Sequence, residues 1–371
     1  MKDILIIGSS PLMLMKAIYL ANNGFNVKVL DNDPIPGGVW KPFKFKSLNL
    51  DSTCHCIESF PYVYKILEKY SDVKFETRRH QPFRVTINGS IKHHYCKTNL
   101  IKRSWNTIGQ ILSSLILIPK LKRVQGVAFC EDIKTSSKTL KLMIYRLLKG
   151  SNTKHPVGGC VEFLRGLVLQ CKKLDVRFIQ GKADLVRAKQ DHSLEILLKS
   201  KEKLAVNQIY CSSSVLCSVT FPSGNRKIFK HSSKKNQYYG LYEIKMTSRP
   251  SVSYVTFPDD NEIKRLSVLD SFDAIEYFNG TNNLFLSIQF SKLVETEGER
   301  LKLLAANLKK IFGFSLFEIL KEISYEEKSY FTKQDYSFMK NSDSFKNFRV
   351  LDTIGCLSES VFNEVENFNG L

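Results

Sequence analysis

The residues of this chain best suited to chemistry lie within its first forty positions. An apolar run, Asp3-Ile4-Leu5-Ile6-Ile7, ends in the turn Gly8-Ser9-Ser10-Pro11-Leu12-Met13. Glycine at the end of a buried strand permits a tight turn into a helix. The helix N-terminus then offers unpaired N–H groups and a positive dipole end to an anion. The full dinucleotide fingerprint, G-x-G-x-x-G, uses its second glycine for close approach to a pyrophosphate and its third to pack helix on strand. Ser10 and Met13 stand at those two positions here. Serine is small enough to be tolerated, and its hydroxyl can donate to phosphate. Asp31 closes the next apolar run, where a carboxylate can accept hydrogen bonds from a ribose diol. Pro34-Ile35-Pro36-Gly37-Gly38-Val39-Trp40 follows, and its glycine pair suits a loop passing close to a cofactor. A plain Pro-Gly turn accounts for the same residues.

These groups need a frame. Asp3 to Ile7 reads as a buried parallel strand. Pro11 to Asn22 has near-helical apolar spacing, opens on a proline tolerated in a first turn, and stops at Asn22-Asn23-Gly24. Val27 to Leu30 is the next strand, which completes a βαβ unit. Further on, helices are expected over Tyr62 to Tyr70, Leu100 to Arg123, Lys138 to Leu148, Val161 to Lys173 and Glu297 to Glu322. Phe83 to Ile91 reads as a hairpin turning at Asn88-Gly89. Strands are expected at Val176 to Ile179, Ala183 to Ala188, Leu194 to Leu198 and Gln208 to Tyr210. Tyr242 to Phe290 is strand-rich, with Gly280 in a hairpin turn, and Phe348 to Glu366 reads as strand, turn at Gly355 and helix.

Composition sets broad limits. The 371 residues allow about two packing units, and 43% hydrophobic with 25% charged residues is ordinary for a globular protein. No apolar run reaches the roughly 18 residues of a membrane span, and no signal peptide is evident, so a cytoplasmic location is expected. The nine cysteines include no CxxC pair, which points to free thiols in a reducing compartment. The sequons at Asn88 and Asn279 then carry no glycan. The formal charge of +19, from 55 Lys+Arg against 36 Asp+Glu, suits an anionic substrate, nucleic acid or an acidic membrane surface. A solvated surface in a lysine-rich proteome is the simpler account, and the absence of a basic arm speaks against specific nucleic-acid binding. Ile108 to Arg123 is a short apolar stretch with a basic end. A buried helix explains it better than a peripheral membrane contact. His80, His93 and His94 lack a third ligand at sensible spacing, so no metal is expected. No triad, HExxH or P-loop motif is present.

The order of first turn, acidic residue and Gly-Gly loop resembles the superfamily of FAD-dependent amine oxidases, protoporphyrinogen oxidases and UDP-galactopyranose mutases. Later stretches extend the resemblance over nearly the whole chain. Leu50-Asp51-Ser52-Thr53-Cys54-His55-Cys56 resembles the segment whose histidine lies near the flavin ring, and His55 matches it. Pro156-Val157-Gly158-Gly159 resembles a second Gly-Gly motif. Val176 to Ala188 resembles the strand pair at the adenine, with Ala183 near that ring. Phe257-Pro258-Asp259 with Lys264-Arg265-Leu266-Ser267 resembles the pattern that points an arginine, here Arg265, into the cleft. Tyr336 stands roughly where mutases place a substrate tyrosine. Val350 to Ser360 matches the C-terminal flavin-binding strand and helix. Ser151 and Cys356 stand where mutases carry arginines.

The resemblance implies an α/β fold: a Rossmann-like FAD-binding domain (1–60, 156–216 and 345–371) with a strand-rich substrate domain and helical insertion (61–155 and 217–344). It implies bound FAD contacted by Gly8, Ser9, Ser10, Leu12, Asp31, Gly37, Gly38, Val39, Trp40, Ala183 and Gly355, with His55, Arg265 and Tyr336 as the catalytic candidates. The expected activity is a FAD-dependent oxidation or reduction of an unidentified anionic small molecule. The alternatives are a redox-neutral, mutase-like reaction on a nucleotide sugar and a degenerate member that has lost flavin.

Overall fold

Ile4, Leu5, Ile6 and Ile7 are each at most 2% exposed, the two-sided burial that a central parallel strand requires. The computed structural model describes residues 2–51, 57–58, 63–78, 83–85, 91–93, 153–189, 193–212, 218–220, 224, 226–228, 237–250, 254–257, 262–269, 272–290, 292–312, 317–328 and 347–351. In it, Asp3–Ile7 pairs in parallel with Asn26–Asp31 on one side and Gln208–Ser212 on the other. Arg177–Gln180 and Phe348–Leu351 complete a five-stranded parallel sheet. Its strands come from three well-separated stretches of chain.

Side chains alternate across this sheet. Ile4, Ile6, Val29 and Tyr210 face the helices Pro11–Asn22 and Gly159–Lys173. Leu5, Ile7, Ile209 and Cys211 face a second sheet built from Ala183–Ala188, Leu194–Leu198, Lys203–Val206, Ser218–Thr220 and Arg226–Ile228. The result is a three-layer unit in which two core clusters hold the parallel sheet rigid. Gly159–Lys173 also lies against Val63–Ser71. A Cβ added at Gly166 would fall 2.1 Å from the Ser71 carbonyl oxygen, so only glycine permits this approach.

The largest sheet among the described residues has seven strands. Its order is Phe317–Lys328, Gln237–Met246, Asn283–Phe290, Ile263–Val268, Tyr254–Thr256, Phe83–Val85, Ile91–His93. One face, with Tyr242, Ile244, Leu266 and Ile288, buries Leu304 and Leu308 of the helix Glu297–Phe312. On the other face Leu241, Leu269 and Phe285 pack with Ala274 and Tyr277 of the helix Phe272–Thr281. A small hairpin, Phe43–Phe45 with Leu48–Leu50, completes that second cluster.

Two expectations fail. Gly280 lies inside the helix Phe272–Thr281 rather than in a hairpin turn. The reversal falls instead at Asn282, in a left-handed conformation at φ 58°. Glu297–Phe312 is helical, but Phe317–Lys328 is a strand. Ten residues of that strand pair with Gln237–Met246, and the ladder overrides the helix-compatible composition of the segment. The strands Lys203–Val206 and Thr153–Pro156 were not anticipated. The helices expected over Leu100 to Arg123 and Lys138 to Leu148, and the turn and helix after Phe348–Leu351, lie outside the described residues. The strands Phe83–Val85 and Ile91–His93 do pair as an antiparallel hairpin. No described helix is long and apolar enough to cross a membrane.

Two outcomes are expected from this packing. Gly166→Ala must separate two helices, which costs about 1–3 kcal/mol as overpacking; denaturant unfolding would read it as a lower midpoint. Cys160, Cys171 and Cys211 are buried, and burial pushes the Cys171 thiol up to about 12. A thiol that seldom ionises and meets no solvent is a poor nucleophile. Brief iodoacetamide treatment should therefore label these three only after unfolding.

Candidate nucleotide-binding site

The turn after Asp3–Ile7 begins at Gly8, whose φ of 101° favours glycine. Its N–H donates to the Leu30 carbonyl at 2.8 Å, which fastens the turn to the end of the neighbouring strand. Ser9 follows, 1% exposed. Its hydroxyl donates to Asp31 Oδ2 at 2.5 Å and accepts from the Gly37 N–H at 2.9 Å. Asp31 Oδ1 in turn accepts from the Asp33 N–H at 2.9 Å. Turn, acidic residue and Gly-Gly loop thus form one hydrogen-bonded unit.

Ser10 caps the helix Pro11–Asn22 in a backbone conformation open to any residue, at φ −59° and ψ 158°. Its carbonyl accepts from Leu14 N at 3.0 Å, while its hydroxyl makes no capping bond. That Oγ is shielded from solvent and has no hydrogen-bond partner among the described residues. The first N–H groups of a helix also lack intrahelical partners. An unspent hydroxyl beside an unspent helix end is a cradle suited to phosphate oxygens. Met13 is fully buried in the helix–sheet core, so its side chain fills the interface that the third glycine of the fingerprint would close.

The glycine pair divides its duties. Gly37 has φ 137°, and a Cβ there would lie 2.8 Å from Leu164 Cδ1 on the helix Gly159–Lys173. Gly38, at φ 57°, would place its Cβ 3.5 Å from Ser10 Cα, which is ordinary contact. Gly38–Trp40 then makes one short helical turn. Trp40 is 8% exposed and meets the Phe163 ring edge-on at 5.9 Å, and Leu12 is buried in the same core. Both side chains therefore shape the loop from beneath. Gln180 pairs with Asp31, and the Gly181 N–H donates to the Asp31 carbonyl at 2.8 Å. Ala183, 1% exposed, enters its strand immediately beyond.

The expected nucleotide residues Gly8, Ser9, Ser10, Asp31, Gly37 and Gly38 thus converge at the carboxyl end of the parallel sheet, where open α/β sheets bind ligands. Val39 lies on the same loop, and Ala183 follows Gly181, whose N–H bonds to the Asp31 carbonyl. His55, Tyr336 and Gly355 lie outside the described residues. The Gly-Gly loop leads through Lys41 and Pro42 into the hairpin Phe43–Leu50, which packs against the seven-stranded sheet.

Arg265 is on that sheet. Leu266 and Val268 enter the core toward the helix Glu297–Phe312, so Arg265 and Ser267 take the opposite face, the one the hairpin covers in part. An irregularity in register between Ile263 and Arg265 sets this orientation. Arg265 is half-buried, with its Nε shielded from solvent. It pairs across the sheet with Gln289, which pairs with Tyr239. Sequence reasoning singled out Arg265 and missed Gln289 and Tyr239, because only long-range register brings the three strands together. Among the described residues no cluster of three metal-ligating side chains occurs.

No protein-family model matches the chain, and no curated protein matches it either. Solved structures do. Reduced UDP-galactopyranose mutase superposes over 100% of this chain and 97% of its own, at a TM-score of 0.64 and 12% identity. A CLA-producing fatty acid isomerase from P. acnes matches over 99% and 97%, at 0.64 and 12%. An oxidoreductase from Methanosarcina mazei matches over 100% of both chains, at 0.61 and 14%. The chain shares its fold with these three structures. At such identities the likeness is one of fold, and the roles of residues rest on the geometry above.

That geometry ranks the two loop glycines. Gly37→Ala meets both strain and Leu164, whereas Gly38→Ala meets strain alone. Alanine at positive φ costs about 1 kcal/mol or more, so Gly37→Ala should destabilise more than Gly38→Ala in urea unfolding. The reverse order would show that Leu164 does not close on the loop.

Proposed function

We propose that the protein is a FAD-dependent oxidoreductase acting on an anionic small molecule. The observation that carries this reading is the bonding of Ser9 to both Asp31 and Gly37, which joins the three loops a dinucleotide needs. The residues fit the cofactor. Ser10 Oγ and the helix N-terminus suit the pyrophosphate, Asp31 suits a ribose diol, and Gly37, Gly38 and Val39 line the loop above. Ala183 suits the neighbourhood of the adenine. FAD, when bound, supplies the redox chemistry, and the protein supplies position and electrostatics. Arg265 would hold an anionic group of the substrate, with Gln289 and Tyr239 beside it in the cross-strand row. His55, Tyr336 and Gly355 keep the roles that the family resemblance implies.

The cofactor test is direct. Protein incubated with excess FAD and desalted should be yellow and should show binding by calorimetry, and Gly8→Val, which crowds the tight turn, should abolish both. Colourless wild-type protein with no calorimetric signal would assign the flavin-free alternative. Turnover of a nucleotide sugar with no net oxidation would assign the mutase-like one.

For substrate, a partly desolvated charge-assisted bond is worth about 1.5–3 kcal/mol. Arg265→Ala should therefore weaken substrate binding roughly ten- to a hundredfold. Arg265→Lys should recover part of the loss, and flavin content should hold in both variants. An alanine variant with unchanged KM would remove Arg265 from the site. The +19 charge is dispersed over the chain, so any DNA binding should be weak and strongly salt-sensitive. Tight binding to one DNA sequence at physiological salt would contradict an anionic small molecule as the natural partner.

A further inference from the structure

We infer that Ser9 is a positioning residue that builds the ribose end of the nucleotide site before any ligand arrives. The inference rests on the dinucleotide reading of the site and assigns to Ser9 a role distinct from that of its neighbour Ser10. A serine hydroxyl carries one proton and two lone pairs. Ser9 commits the proton to Asp31 and a lone pair to the Gly37 N–H. Its side chain is thereby turned inward, and at 1% exposure it has no open path to a ligand. Ser10 is the converse case, with a shielded hydroxyl that no described group engages.

The consequence falls on Asp31. Its Oδ2 is held by Ser9 and its Oδ1 by the Asp33 N–H, so the carboxylate plane is fixed from both ends. Each oxygen keeps further lone-pair capacity for a ribose hydroxyl, because an ionised carboxylate accepts about four hydrogen bonds. Ligand binding then need not select one orientation from several, and that ordering cost is removed in advance. The same hydroxyl satisfies the buried Gly37 N–H, which would otherwise carry the penalty of an unmade hydrogen bond. The loop is thus drawn onto the turn, where a Cβ added at Gly38 would lie 3.5 Å from Ser10 Cα. The partners of Ser9 stand 22 and 28 positions away in sequence, so no local turn requirement explains the hydroxyl.

The test uses the full chain, with FAD as probe. Ser9→Ala, Asp31→Ala and the double variant are titrated by flavin fluorescence, and amide exchange at Gly37 is followed by NMR in the ligand-free protein. Ser9→Ala should weaken FAD binding roughly two- to tenfold, the cost of ordering the Asp31 side chain at the moment of binding. Because Ser9 acts through Asp31, the double variant should bind about as weakly as Asp31→Ala alone. The Gly37 amide should be protected in the ligand-free wild type and should exchange at least about tenfold faster in Ser9→Ala. Losses that add, or affinity unchanged in Ser9→Ala, would overturn the inference. A Gly37 amide unprotected in the wild type would do so even if no variant folds. If the wild type takes up no FAD at all, the cofactor reading fails while the exchange measurement still decides whether Ser9 orders the loop.

Discussion

One hydroxyl group joins three separate loops of this site. Ser9 reaches from the first turn to the end of the second strand and to the Gly-Gly loop. It can do so because both strands end at the same level, a register that the Gly8 N–H enforces on the Leu30 carbonyl. The Asp31 carbonyl extends the same edge by accepting from Gly181, which brings the strand Ala183–Ala188 alongside. Every candidate nucleotide group in the described residues therefore hangs from the carboxyl edge of one parallel sheet. That sheet is buried on both faces, and its stiffness lets short polar side chains hold their positions.

The seven-stranded sheet meets this edge through the hairpin Phe43–Leu50. Phe43, Phe45 and Leu48 pack with Leu241, Leu269 and Phe285, so the chain leaving the Gly-Gly loop is anchored on the face that carries Arg265. The opposite face is held by a different device. Arg300 grips Glu322 with two bonds of 2.9 and 3.0 Å and donates to the carbonyls of Val294 and Glu295. With both side chains only 9% exposed, the pair derives its value from complete hydrogen bonding, since a buried charge that loses its partner is strongly destabilising. It ties the helix Glu297–Phe312 to the edge strand Phe317–Lys328 and leaves the Arg265 face uncovered by that helix.

Much of this was legible in the sequence, and the reasons are local. The helix Pro11–Asn22 matches its expected limits because proline and the Asn-Gly stop mark its ends. The central strands were legible because two-sided burial demands unbroken apolar runs. Phe317 to Glu322 was expected to continue a helix because its Glu, Lys and Leu residues favour one, while its strand character comes from a partner some eighty residues earlier. Gly280 was misread because glycine tolerates a helix end as well as a turn. Within the site, the glycine spacing located the loops, yet it could not tell that Gly37 is required by Leu164 or that Ser9 faces inward. Both facts depend on which segments meet after folding.

The decisive property of the site is whether it holds the adenosine half of a dinucleotide. The direct measurement is a parallel titration of the flavin-free protein with FAD and FMN by flavin fluorescence. FMN lacks the adenosine ribose that Asp31 would accept and the second phosphate that the turn would cradle. The expected result is saturable FAD binding, with FMN binding weaker by about a hundredfold, the loss of two or so charge-assisted contacts. FMN binding as tight as FAD, or no binding of either, would contradict it.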